Sequence, residues 1–219
     1  MAETEQPYLP ATGRLPLTAL YDPVIAVTVR ERTFRRAVIA AALADDRPDA
    51  ILDVGCGTGT LAIGLAKAAP GAAVTAVDGD RAILARARRK ATGAGVDVRL
   101  IDARAEELPF PDASFDCVVS TLMLHHLAPG PKREALRETA RVLRAGGRLV
   151  IADWGRPRDP VTAAGFLAIR LLDGFEPTRE HAAGRLPELV SDAGFTHVET
   201  RQRWRTVWGT LELLVAHAP

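Results

Sequence analysis

Residues 50–69, AILDVGCGTGTLAIGLAKAA, run from a short apolar segment through glycines at positions 55, 57 and 59 into a helical pattern. An apolar run of this length, then a glycine turn, then an amphipathic stretch reads as strand, tight turn and helix in an open α/β sheet. A turn so poor in side chains lets backbone come close to a ligand. The aspartate at its entrance, Asp53, narrows what that ligand can be.

The alternation continues along the chain. Strands are expected over residues 50–54, 73–78, 97–101, 115–120 and 147–152, and helices over 60–68, 81–91 and 132–143. The strands contain ILDV, VTAV, CVVS and LVIA, nearly continuous apolar runs, which indicates a mostly parallel sheet covered by helices on both faces. In the 132–143 helix Leu136, Ala140 and Leu143 form the apolar side, leaving Arg133, Arg137, Arg141 and Arg144 for water. An earlier helix is expected over 24–43, with Phe34, Val38 and Ala41 on one side. A helix at 186–193 and a strand pair at 195–203 and 210–217 complete the pattern. Residues 154–185 are left over; a helix candidate at 161–172 and a charged loop make them an expected substrate lid, with Gly165, Gly174 and Gly184 as hinges. The division is therefore 1–45, an N-terminal extension and helix covering the site; 46–153, the binding core; 154–185, the lid; and 186–219, the final helix and strand pair.

With 219 residues, 47% apolar and 25% charged, the composition is that of a globular protein with a substantial core. No apolar run has membrane length, and the start MAETEQPYLP is polar and acidic, so a cytoplasmic protein without stable membrane insertion is expected. Cys56 and Cys117 are too few for a disulfide framework or thiolate cluster, and no metal is expected. A net charge of +1 gives no field to gather nucleic acid, so Arg86, Arg88, Arg89 and Lys90, like Arg201, Arg203 and Arg205, read as solvated faces. A monomer or homodimer is expected.

The glycine spacing is not the dinucleotide G-x-G-x-x-G, since the third glycine comes one position early, and a P-loop would need a lysine after the turn. Asp53 ends the first strand, where it would repel a pyrophosphate but suit a cationic amino group. Asp78 ends the second strand, placed for a ribose diol, and Asp102 follows the third, placed for an exocyclic adenine amine. Singly, each acid reads as well as a helix cap or a solvated loop, as Asp80 does before Arg81. In that order, amine, ribose and adenine describe S-adenosyl-L-methionine.

The segments DVGCGTG (53–59), TAVDGD (75–80), DARAEELPFPDASFDCVVS (102–120), LMLHHL (122–127) and RVLRAGGRLVIAD (141–153) together resemble a class I S-adenosylmethionine-dependent methyltransferase of the kind that includes the ubiquinone and menaquinone biosynthesis C-methyltransferases. The resemblance implies a Rossmann-like seven-stranded sheet with its last strand antiparallel. It implies cofactor contacts at Asp53, Gly55, Cys56, Gly57, Gly59, Asp78, Gly79, Asp102, Ala103, Ser120 and Thr121, and release of S-adenosyl-L-homocysteine. Tyr21 resembles a tyrosine that lids the cofactor in relatives; read locally, it could equally be a packed surface aromatic.

Methyl transfer is in-line displacement, so the protein mainly aligns donor and acceptor and excludes water; a base is needed only if the acceptor must lose a proton. His126 and His181 are the candidate bases, with activity expected to titrate in the imidazole range. His125, Phe166, Arg170 and Phe175 are the candidate acceptor contacts. DNA-base methylation is disfavoured because STLMLHH stands where those enzymes carry a polar residue before paired prolines, and arsenic methylation because it needs more cysteines. A small, partly apolar O-, C- or N-nucleophile is left. The alternatives on the same fold are a non-catalytic binding partner or an aminopropyl-type transferase.

Overall fold

The computed structural model describes residues 31–44 and 47–219. Among them the chain forms α1 (Glu31–Ala42), β1 (Ala50–Val54), α2 (Thr60–Ala68), β2 (Ala73–Asp78), α3 (Arg81–Ala94), β3 (Arg99–Asp102) and β4 (Phe115–Thr121). A 3-10 turn (Leu124–His126) leads to α4 (Pro129–Val142), β5 (Leu143–Gly155), α5 (Pro160–Asp173), α6 (Arg179–Ala183), α7 (Leu186–Asp192), β6 (Thr196–Arg205) and β7 (Thr210–His217).

The strands build one seven-stranded sheet in the order β3-β2-β1-β4-β5-β7-β6. The pairs among β1 to β5 are parallel, and β7 runs antiparallel to both β5 and β6. This is the expected sheet. Its order reverses at β1, which is flanked by β2 and β4, so the turn after Val54 opens at the point where such sheets bind ligands.

Alternation along each buried strand feeds two cores. Ile51, Ala76, Cys117, Val119 and Val150 face α1 to α3, meeting Phe34, Val38, Leu61, Leu65 and Leu84. Leu52, Val54, Val77, Val118 and Ile151 face the other side, meeting Leu136 of α4 and Leu186, Leu189 and Val190 of α7. Both faces are dry, which is why these strands read as continuous apolar runs.

Element boundaries depart from expectation where capping decides them. Helix α3 runs on to Ala94 and stops at Gly95, whose left-handed backbone closes it on Ala91 and Thr92 carbonyls. Helix α4 begins earlier, at Pro129, a residue that fits the first turn because it has no N–H to lose. Asp159 and Thr162 form a capping box that starts α5 at Pro160. Helix α6 was not expected within the charged loop; at five residues it is too short to show a period.

The arginines of α4 are not all left to water. Arg141 donates to the Leu108 and Phe110 carbonyls and pairs with Asp112 and Glu138, tying down the loop after β3. Arg133 reaches the buried Glu180, and Arg144 pairs with Asp116. In the second basic cluster Arg203 pairs with Glu212 and Arg205 with Asp159.

The segment between β5 and α7 is anchored, and the three glycines in it do other work than hinging. Phe166 and Ile169 of α5 are buried against the core that contains Trp154. Gly174 and Gly184 cap α5 and α6. At Gly165 a side chain would overlap the Val207 carbonyl and meet Trp208 Cα at 2.8 Å, so this glycine marks the close approach of α5 to the β6–β7 turn. Gly165→Ala is therefore expected to destabilise the fold by about 1–3 kcal/mol through overpacking, read as a lower urea midpoint; an unchanged midpoint would argue for a loose, hinge-like contact there.

Candidate active site

The turn after β1 is held against β2 by its own backbone. The Gly55 and Cys56 amides both donate to the Val77 carbonyl at 2.9 Å, and the Gly57 amide donates to Asp78 Oδ2 at 2.8 Å. Asp78 Oδ1 accepts from the Asp80 amide at 3.0 Å, so this carboxylate organises the turn as well as facing its opening. Asp80 caps α3, as its position suggested. Two glycines are set by different neighbours. A side chain at Gly55 would overlap Met123, which arrives from the end of β4; at Gly57, with φ of +53°, a Cβ would meet nothing within 4 Å. The first glycine fits the protein, and the second borders open space.

Asp53 is completely buried; no described side chain hydrogen-bonds its carboxylate, and the backbone amide of Ala62 in α2 is the donor that faces it. Burial pushes its carboxyl up to about 7, an effect that the Arg35 charge opposes and the Asp78 charge reinforces. Asp78 is also raised, chiefly by burial. The buried Cys56 thiol is pushed far up by burial and by Asp53, so it is no nucleophile. Ser120, next to last in β4, has a buried hydroxyl without a hydrogen-bond partner among the described residues, and Thr121 beside it pairs with Ala152 in the sheet.

Not every expected contact is free. Asp102 is exposed and already ion-paired with Arg81, and the Ala103 amide donates to the Asp78 carbonyl at 3.3 Å. Gly79 sits half-buried between Asp78 and Asp80, and Gly59 starts α2 in a left-handed conformation, close to Ala87. Tyr21 lies outside the described residues.

Beyond β4 the chain turns sharply. Leu122 adopts φ of +51°, uncommon for a leucine, and is fixed by donating to the Ala152 carbonyl at 2.9 Å. The 3-10 turn then presents His125 and His126, their rings 4.0 Å apart. His125 Nδ1 lies 2.7 Å from Asp153 Oδ1, and the Trp154 amide also donates to that oxygen at 2.7 Å. Although burial acts to raise it, the Asp153 carboxyl is held well below its usual range by the charges of His125 and His181 and by these hydrogen bonds.

His181 is a correction to the lid reading: it is fully buried, with Nδ1 at 3.4 Å from Lys132 Nζ and Nε2 at 3.9 Å from Asp153 Oδ2. Lys132, itself buried, donates to Glu180 at 3.1 Å and to the Pro177 carbonyl at 2.7 Å. Burial pushes both His126 and His181 down, the first helped by the facing charge of His125. Of the paired histidines, His126 is the reachable one, at 28% side-chain exposure against 5% for His125.

The acceptor set splits. Phe166 is a core residue, yet its edge and Arg170 line a cleft of about 390 Å³ with Arg156 and Leu167, and none of the strand-end aspartates reaches it. Arg170 also stacks on the exposed Phe175, 4.6 Å from the ring centre. The sequence reading passed over Asp153, Asp173, Lys132 and Glu180. Asp153 alone left a signal, an acid closing an apolar strand; the others are brought in by packing.

Comparison with known proteins gives a consistent result. Residues 51–147 match the family described as "Methyltransferase domain". The chain is 44% identical over 124 residues to a demethylmenaquinone methyltransferase of Thermus thermophilus, covering 57% of this chain and 55% of that protein. It is 36% identical over 170 residues to the 27-O-demethylrifamycin SV methyltransferase of Amycolatopsis mediterranei, covering 71% and 60%. The chain thus spans less than two thirds of these relatives. An O-methyltransferase family protein of Burkholderia thailandensis shares the fold, with a TM-score of 0.73 at 18% identity, covering 91% of this chain and 58% of that one.

The Asp53 carboxyl gives a pH test. A carboxyl ionising near 4 when unfolded and near 7 when folded makes the folded state bind more protons between those values. Its contribution therefore lowers stability as pH rises through that window. Relative to wild type, Asp53→Asn without added ligand should gain stability between about pH 5 and about pH 8, measured by urea unfolding. A gain of the opposite sign would mean that the buried carboxylate has a partner.

Proposed function

We propose, from the match of residues 51–147 to the family described as "Methyltransferase domain", that this chain transfers a methyl group from S-adenosyl-L-methionine to a small, partly apolar acceptor. The observation that carries the reading is Asp53: a fully buried carboxylate that no described side chain pairs with, beside a turn whose Gly57 borders open space. A buried anion calls for a cation, and the cofactor's amino acid end has one. Asp78 is the acceptor for the ribose, with lone pairs left after its two amide bonds. Asp102 would serve the adenine after sharing or giving up Arg81. No helix of the described residues is long and apolar enough to cross a membrane.

S-adenosyl-L-methionine supplies a methyl group on a cationic sulfonium. The chain's own part is positioning: the rigid end of β4, with Leu122 and Met123 folded over the glycine turn, fixes the wall nearest that turn. If the acceptor must lose a proton, His126 is the group to take it, being reachable and neutral; His181 is too deeply buried. Residues 154–185 supply an acceptor-side cover in this reading, with Phe175 and Arg170 as its contacts.

Calorimetry with S-adenosyl-L-homocysteine tests the cofactor assignment. Asp78→Ala should weaken binding by about 1–3 kcal/mol through loss of a buried acceptor. Unchanged affinity, or NAD binding as tightly, would sink the assignment. Mass spectrometry against phenols, quinols and amines, looking for the gain of one CH2, would identify the acceptor class. With that acceptor, His126→Ala should lower turnover by roughly 10²-fold with cofactor affinity retained. Since burial holds His126 below its ordinary value, it stays neutral from mildly acidic to basic pH, and no imidazole limb is expected there, contrary to the expectation from sequence. A rate that falls with an ordinary imidazole titration would contradict the burial.

A further inference from the structure

Asp173 is the last residue of α5, and the fold carries its carboxylate to the paired histidines. Oδ2 lies 3.6 Å from His125 Nε2, and Oδ1 lies 3.7 Å from His126 Nδ1. One ligand atom from each of the three residues lies within 4.8 Å of the others. Among the described residues Asp173 closes no hydrogen bond, since both separations are too long for one. It is only 9% exposed and sits at the end of a helix, where the backbone dipole disfavours an anion. A carboxylate in that position is suited by a positive charge, either a protonated His125 or a cation between itself and the rings.

The spacing suits one. Ligands at about 2.0–2.1 Å around a tetrahedral ion stand about 3.4 Å apart; the separations of 3.6 and 3.7 Å run to the two different oxygens of Asp173 and the three ligand atoms lie within 4.8 Å of one another, so a bound ion draws the rings and the carboxylate closer together. The outer arrangement fits as well. His125 offers Nε2 to the cluster while its Nδ1 bonds Asp153 at 2.7 Å, and a carboxylate behind a ligating imidazole fixes its tautomer and raises its basicity. Two imidazoles and one carboxylate favour a borderline transition metal over magnesium or calcium, which take oxygen ligands. His126 is partly exposed, so a coordination position is left toward solvent.

We propose that His125, His126 and Asp173 bind one divalent transition-metal ion of the zinc class, with Asp153 as the supporting carboxylate, clamping the end of α5 to the turn after β4. No metal is expected from the sequence, where two cysteines are too few for a thiolate cluster; Asp173 comes from a different element, far along the chain, and only the packing of α5 brings it to LMLHHL. With an ion bound, the His126 imidazole has no free lone pair to take a proton from an acceptor, so the ligand role and the general-base role are alternatives for this residue; a metal titration needs neither cofactor nor acceptor and decides the ligand role by itself.

The full chain, stripped of metal, is titrated with Zn²⁺ by calorimetry and with Co²⁺ by visible absorption. Binding of one ion per chain is expected, with d–d bands of a four- or five-coordinate nitrogen–oxygen site. Asp173→Asn and His126→Ala, each confirmed folded by circular dichroism, should weaken it by about tenfold or more. His197 and His217, the other adjacent pair, lie with ring centres 6.2 Å apart on β6 and β7, and the double variant H197A/H217A should bind as wild type does. If H126A does not fold, D173N and the cobalt spectrum decide the matter. No stoichiometric binding, unaltered binding in D173N, or loss in H197A/H217A would each overturn the proposal. Asp173 would then simply face protonated histidine.

Discussion

The working end of the sheet depends on the buried carboxylate of Asp153. It closes β5, accepts from the Trp154 amide, holds His125 at 2.7 Å and faces His181. Through His181 it joins Lys132 and Glu180, so the consecutive 3-10 turn and α4 meet the distant α6 at one charge. Breaking a buried pair of this kind typically costs about 3–5 kcal/mol, because the partner is left charged and unsolvated. The geometry of the turn after β4, and with it the wall facing the glycine turn, is held by that constraint.

Asp53 offers the contrast. Both aspartates are buried, and both lie near the ends of parallel strands, yet their carboxyls shift in opposite directions: Asp153 is kept ionised by imidazoles and an amide, while for Asp53 burial outweighs the Arg35 charge and the Ala62 amide and pushes it toward its neutral form. The first is satisfied by the protein. The second is left for something else, and unpaired buried polar groups of that kind mark function more often than stability.

Residues 154–185 divide along α5. One side, with Phe166 and Ile169, is core; the other leaves Val161, Leu167, Leu171 and Leu172 exposed. Helix α6 is tied from below by Lys132 and Arg133. The segment thus rests on an anchored base and turns an apolar face and Phe175 outward.

The strand runs, the glycine turn and the three strand-end aspartates were legible in the sequence because each is a local pattern: continuous apolar residues, a turn without side chains, an acid at a fixed offset. They were enough for the sheet and for the surroundings of the glycine turn. The acceptor side was not legible in the same way. His126 and His181 look alike as sequence, but one is partly exposed and the other sealed, a difference set by α6, which is too short to have a period. Arg141 reads as solvent-facing by helical spacing, yet the loop after β3 folds back under it. Asp173 reads as a surface acid, but α5 packs through Phe166 and Gly165 so that its end meets the histidines. Periodicity reports which side of an element is buried; which charges share a buried space depends on how elements from distant parts of the chain pack, and only the tertiary structure decides that.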